Sequence, residues 1–211
     1  MSIAARKRNT NAPKPRRASY SWPLVLRTRP VFELTEDQFF ELCQLNAELW
    51  IERSAEGEWQ IMPPVGGGTG SREAEIILQL GLWAKRERAG TVFSSAAGFR
   101  LPNGAVRAPD ASWVLNSRLE ALSPREWERF IPLCPDFVLE LRSPSDRLEV
   151  LHAKLEEYLA NGARLGWLLD PDAHQVYVYR PDAPVQRLHQ PETVSGDPVL
   201  PGFALDLREV W

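Results

Sequence analysis

Residues 34–46, LTEDQFFELCQLN, carry apolar side chains at helical spacing, with Thr35 at an N-cap position and Gln38 three residues later. That pairing predicts a capping box. ELWIERSAEGEWQIM (48–62) holds two aromatic and β-branched runs around Ala-Glu-Gly and predicts a hairpin. PPVGGGTGS (63–71) reads as a glycine-rich loop entering a helix over 72–90, where Lys85, Arg86 and Arg88 precede Gly90 as a helix C-terminus favours. Short strands are predicted at 91–95, 98–102 and 108–115, then a short helix over 123–130 capped by Ser123 with Pro124 in its first turn. Residues 135–142 read as a strand. SPSD (143–146) holds a cap for a helix over 146–161, which stops at Asn161-Gly162. Strands at 165–170 and 175–181 flank a turn at Pro171-Asp172, and 200–207 ends in a last strand. The order predicts a mixed α/β fold, one domain over 23–211.

The strand at 135–142 carries an anomaly. Under strand alternation Phe137, Leu139 and Leu141 point one way, while Val138, Glu140 and Arg142 point the other. Buried charge is costly unless it is paired or binds a cation. Either Glu140 and Arg142 form a structural ion pair, or this face is the floor of a site. Asp110 poses the same question, since it shares a face with Ser112 and Val114 on another largely apolar strand. If the two strands are neighbours, both carboxylates reach one point, and a carboxylate pair on rigid strands suits Mg²⁺. On the following helix Leu148, Leu151, Leu155, Tyr158 and Leu159 form the apolar stripe, and Lys154 borders it. Lys154 either reaches across the sheet toward Glu140 or snorkels to solvent.

Composition narrows the class. Apolar residues make up 44% and charged residues 25%, as in ordinary globular proteins. Nothing approaches the roughly 18 consecutive apolar residues of a membrane helix, and no apolar segment follows the basic N-terminus. Cys43 and Cys134 are isolated and are expected to be buried thiols. A cytoplasmic, reducing location is the expectation, without a membrane partner. The net charge of −3 hides an asymmetry, because residues 1–20 hold six basic and no acidic residues, leaving −9 on the remainder. Residues 1–22 read as a disordered basic arm, either simply solvated or making weak phosphate contacts.

Other motifs exclude more than they propose. The glycine run lacks the Gly-Lys-Ser/Thr of a Walker A loop, since Arg72 follows the serine, so ATP is not expected. It is a connector, or else a backbone contact to nucleic acid, with Arg72 beside it. His152, His174 and His189 are scattered and no G-x-S-x-G occurs, which removes a Ser-His hydrolase.

APDASWV, PDFVLELRSPSDRLEVLHAKLEEYLANGARLGWLLDP and VYVYRP, in that order, resemble the Uma-type family of restriction-endonuclease-like proteins. That family is a branch of the PD-(D/E)XK nuclease superfamily, and the resemblance spans roughly residues 30–210. It implies a restriction-endonuclease-like core, a mixed central sheet flanked by helices, with the helix and hairpin added at the N-terminus. It implies a metal-dependent endonuclease acting on DNA. Asp110 and Glu140 would hold Mg²⁺, with Mn²⁺ as a substitute, and Lys154 would position water or stabilise the transition state. The superfamily's usual lysine, two residues after the glutamate, is replaced by Arg142, which stays protonated and would contact substrate phosphate. A glutamate on the first core helix often completes such sites; Glu75 is the candidate, with Glu73 and Glu52 as competitors. Cutting both strands would favour a homodimer. The alternative is a catalytically silent member of the fold that binds nucleic acid or protein.

Overall fold

Thr35 opens the first helix as its sequence predicts. Its hydroxyl accepts from Gln38 N–H, and the Gln38 side chain accepts from Thr35 N–H. In this computed structural model residues 23–211 are described, and the basic segment 1–22 lies outside them. The N-terminal part runs β1 (Leu24–Leu26), α1 (Glu36–Leu45), β2 (Trp50–Arg53), β3 (Trp59–Met62), α2 (Gly67–Glu87), β4 (Gly90–Ser94), β5 (Phe99–Arg100) and β6 (Val106–Arg107). Then come β7 (Ala111–Leu115), α3 (Asn116–Leu119), α4 (Pro124–Trp127), β8 (Phe137–Leu141), α5 (Leu148–Ala160) and β9 (Leu165–Asp170). β10 (Gln175–Tyr179), β11 (Gln186–His189), β12 (Thr193–Ser195) and β13 (Ala204–Asp206) complete the chain.

The predicted hairpin, β2 with β3, is the centre of an antiparallel sheet ordered β1-β3-β2-β6-β5. The larger sheet is ordered β11-β10-β9-β8-β7-β4. Its central strands β8 and β9 are buried at every residue and run parallel, the other pairs antiparallel. A parallel pair needs a crossover, and α5 supplies it. The result is the mixed α/β architecture expected, a central sheet flanked by helices.

The two faces of the large sheet bury different partners. Ala111, Trp113, Phe137, Leu139 and Trp167 pack against Ile76, Leu80 and Trp83 of α2 and against Phe203, Leu205 and Leu207. Val114, Val138 and Leu168 pack against Leu151, Leu155 and Tyr158 of α5. Gly166 of β9 sets how closely α5 lies, since a Cβ there would meet Leu155 Cδ1 at 2.7 Å. Gly162, at φ +106°, turns the chain out of that helix in a conformation other residues rarely adopt.

Several expectations are corrected. The glycine stretch is not a loop through residue 71: α2 begins at Gly67, with no side-chain cap at Gly66. Thr69 is buried, so packing of the first turn offsets the poor helix propensity of three glycines. The same helix ends at Glu87, with Arg88 left-handed at φ 58°, while Gly90 opens β4 beneath Trp113. SPSD does not cap α5: the Asp146 carboxylate accepts from Ser143 N–H, and Arg147 takes the cap position without a side-chain bond. Cys134 is buried but Cys43 only partly so. Strands β1, β6, β11 and β12 are too short or too polar to stand out in the sequence. No described helix is long and apolar enough to cross a membrane.

Candidate active site

Asp110 immediately precedes β7, and Glu140 is the fourth residue of β8. The ladder pairs Trp113 with Phe137, Ser112 with Val138 and Ala111 with Leu139. Asp110 stands one residue beyond the last rung of this ladder, beside Glu140, which feels its charge. Asp110 is anchored there, its Oδ2 accepting from Leu141 N–H at 2.6 Å.

Helix α5 brings the cation. Leu151, Leu155 and Tyr158 form its buried stripe, and Lys154 stands one turn before Tyr158 on the same side. Both reach Glu140. Lys154 Nζ lies 3.1 Å from Oε2 and 3.0 Å from Oε1, and Tyr158 Oη donates to Oε1 at 3.1 Å. The packing distance set by Gly166 makes these contacts possible, so a glycine inside a strand has a direct bearing on the site. Lys154 is therefore not a snorkelling surface lysine.

The small sheet closes the site from above. Glu52 of β2, only 2% exposed, accepts from Lys154 Nζ at 2.9 Å, Ala108 N–H at 2.9 Å and Arg107 Nη1 at 3.2 Å. Arg107 also donates to Glu157 at 2.6 Å and to Gln60 at 3.1 Å. Two sheets and one helix thus meet on a buried charge cluster. Four carboxylates, Glu52, Asp110, Glu140 and Glu157, surround only two cations, Lys154 and Arg107.

This imbalance shows in the acidities. Burial raises Asp110 to about 7, against the attraction of Lys154 and the bond from Leu141. Burial likewise raises Glu140 to about 8, helped by the negative charges of Asp110 and Glu52 and opposed by Lys154. Glu52 is also buried, but Lys154, Arg107 and the Ala108 N–H outweigh that, and it falls below the ordinary glutamate value. Burial alone would make Lys154 more acidic; Glu140 and Glu52 reverse this and hold it firmly protonated. Tyr158, buried and facing Glu140, stays a neutral donor.

Among the described residues no group of three or more His, Cys, Asp or Glu side chains is placed to hold a metal on protein ligands alone. The donor set still fits a hard divalent cation. Mg²⁺ ordinarily takes one or two carboxylates and completes its shell with water and phosphate. Asp110 and Glu140 offer such a pair, in surroundings with too little positive charge to ionise both.

The other expected residues fall in different places. Arg142 does not pair with Glu140: its Nη1 donates to Asp170 at 2.7 Å, at the adjacent end of β9, and its backbone N–H donates to Leu169. Its Nε is buried without a partner. The structural ion pair open in the sequence thus exists with a different carboxylate. Glu75 is turned away, accepting from Gln79, which bridges to the backbone of Asp206. Glu73, two residues earlier, continues the buried stripe through Ile76 and Leu80. Its charge is felt by Asp110, and burial together with the charge of Glu140 raises its own pKa above the ordinary glutamate value. Arg72 donates to the backbone of Val210, so it ties α2 to the C-terminus. Sequence reasoning gave Asp170 no role, although it ends a motif strand, and placed Glu52 only among competitors, because each lies far along the chain from the cation it meets.

A mixed sheet with an acidic pair on neighbouring strands and a lysine on the crossover helix defines a restriction-endonuclease-like protein. A family model, Uma2, putative restriction endonuclease, matches residues 36–208, and the chain belongs to that family. Among solved structures it is similar to a putative nuclease belonging to DUF820 from Anabaena variabilis. The TM-score is 0.69 at 24% identity, covering 84% of this chain and 97% of that one; the likeness establishes a shared fold. No curated protein matches the chain.

Proposed function

We propose that this protein is a metal-dependent nuclease that hydrolyses phosphodiester bonds of DNA. The family's description supports a nuclease. The observation that carries the finer reading is the closeness of Asp110 to Glu140, with Lys154 on Glu140. Asp110 and Glu140 would hold Mg²⁺, or Mn²⁺ in its place. A divalent cation so held supplies Lewis-acid polarisation of phosphate and a bound water of lowered pKa.

The chain's own groups fill distinct roles. Lys154 is held protonated between two carboxylates, so it is not a general base; it stabilises negative charge developing on a phosphate oxygen. Tyr158 and Lys154 fix the Glu140 carboxylate, and Leu141 N–H fixes Asp110, so neither has to reorganise during reaction. Glu73 adds negative charge at the same point. Arg142, oriented by Asp170, keeps its remaining N–H donors for a phosphate oxygen.

Purified protein is assayed on plasmid and single-stranded DNA with Mg²⁺, Mn²⁺ or EDTA, beside Asp110→Asn and Lys154→Ala. Metal-dependent cleavage lost in both variants is the expected result. No cleavage by wild type on DNA or RNA, with no metal-induced rise in melting temperature, would overturn the reading and leave a silent, binding member of the fold.

A further inference from the structure

We propose that the outer face of α2 is a docking surface for a second copy of this chain, packed antiparallel about a two-fold axis. The inward stripe of α2 is Thr69, Ile76, Leu80, Trp83 and Ala84. On the opposite side Leu78 and Leu82, one turn apart, are 54% and 55% exposed. Single exposed leucines are common on protein surfaces and need no explanation. Two at i and i+4, central on the solvent face of a helix, form a ridge that no described element covers.

The charges around that ridge choose the partner. Glu75 lies on its N-terminal flank and Lys85 on its C-terminal flank, both on the outward side of the helix. A two-fold axis crossing the helix at the level of residue 80 sets Leu78 against Leu82 of the partner subunit. The same axis sets Glu75 against Lys85 of the partner subunit, and each contact occurs twice by symmetry. One rotation therefore satisfies both the apolar and the charged positions. A parallel arrangement would instead set Glu75 beside Glu75 of the partner subunit and Lys85 beside Lys85 of the partner subunit. Antiparallel packing also opposes the two helix dipoles favourably. The face is thus complementary to itself, as an isologous interface requires, and the pairing does not depend on the catalytic reading.

The test is light scattering after size exclusion on the full chain across concentrations, comparing wild type with Glu75→Lys, Lys85→Glu, the double reversal and Leu78→Glu. The double reversal is the decisive variant, since it restores opposite charges only if residues 75 and 85 face each other across subunits. Wild type is expected to dimerise, and each single reversal to weaken the dimer roughly tenfold. The double reversal is expected to return to within about threefold of wild type, and Leu78→Glu to give monomer. Far-UV circular dichroism confirms that the variants fold. A monomeric wild type, whatever else then covers the face, overturns the proposal. So does a dimer indifferent to Leu78→Glu, or a double reversal no stronger than the singles.

Discussion

Lys154 on the crossover helix and Glu52 on the small sheet are joined at 2.9 Å, although they stand 102 positions apart in the chain. This is the bond by which the N-terminal hairpin is tied to the acidic pair. Because both groups are buried, the pairing is a condition for the small sheet to sit where it does.

Removing the cation should therefore cost more than removing a surface lysine. Lys154→Met leaves Glu52 and Glu140 buried without it, and losing one member of a buried ion pair typically costs about 3–5 kcal/mol. The double variant Lys154→Met, Glu52→Gln is expected to lose less than the sum of the two single losses, since one orphaned charge is removed. Urea denaturation of the four proteins measures the coupling directly. Additive losses would mean that the 2.9 Å contact contributes nothing in solution.

Stability of the metal-free protein should fall as pH rises from about 5 to about 8. Asp110 and Glu140 have folded values near 7 and 8, raised by burial above the ordinary 3.8 and 4.5. In this window the folded state holds protons that the unfolded state has released, so raising the pH favours unfolding. The lowered Glu52 and the raised Lys154 shift outside this window and contribute a constant. Mg²⁺ is expected to raise the melting temperature at about pH 8, where the pair must ionise, and much less at about pH 5. Asp110→Asn should flatten both dependences. Thermal melts at several pH values, with Mg²⁺ or EDTA, test this, and a melting temperature that climbs toward pH 8 without metal would contradict it.

Much of this arrangement was legible in the sequence because it is local. The capping box at Thr35 and the cap at Ser123 use residues within one turn, and both form, the second as a box with Glu126 that the sequence reading did not name. The buried strands at 137–141 and 165–170 announce themselves by short runs that are apolar at all but one position. Glu140 stood out as a charge in such a run, and Lys154 as a charge on the border of a helical stripe. What remained hidden depends on tertiary packing. Neither Glu52 nor Asp170 has any local feature marking it as a partner of Lys154 or Arg142. The start of α2 was hidden because glycine argues against helix, and only the burial of Thr69 overrides it.

Arg142 and Asp170 supply a further test. Asp170 is 2% exposed, and Arg142 is the cation that meets it. Arg142→Ala is expected to destabilise by about 3–5 kcal/mol, whereas Asp170→Asn, which leaves the more exposed partner unpaired, should cost less. Arg142→Lys preserves charge but not the planar fork, so it should recover only part of the stability. In a cleavage assay Arg142→Lys should raise KM for DNA more than it lowers kcat, as loss of ground-state phosphate binding requires. An unchanged KM would reduce Arg142 to a structural partner of Asp170.

Glu73 and Glu75 are separated by one residue and by the width of a helix. The start of α2 at Gly67 fixes the phase in which Glu73 continues the line from Thr69 to Ile76 and Leu80, while Glu75 falls beside Gln79 on the outward side. Only Glu73 lies where Asp110 and Glu140 feel its charge. Glu73→Gln removes a negative charge from beside the acidic pair, so it should ease the ionisation of Asp110 and Glu140 while weakening their hold on a cation. The expected result is a smaller Mg²⁺-induced rise in melting temperature at about pH 8, together with a shallower loss of metal-free stability with rising pH. Glu75→Gln should leave the Mg²⁺ response close to that of wild type. The reverse outcome, a response lost in Glu75→Gln and kept in Glu73→Gln, would mean that α2 presents its other face to the site.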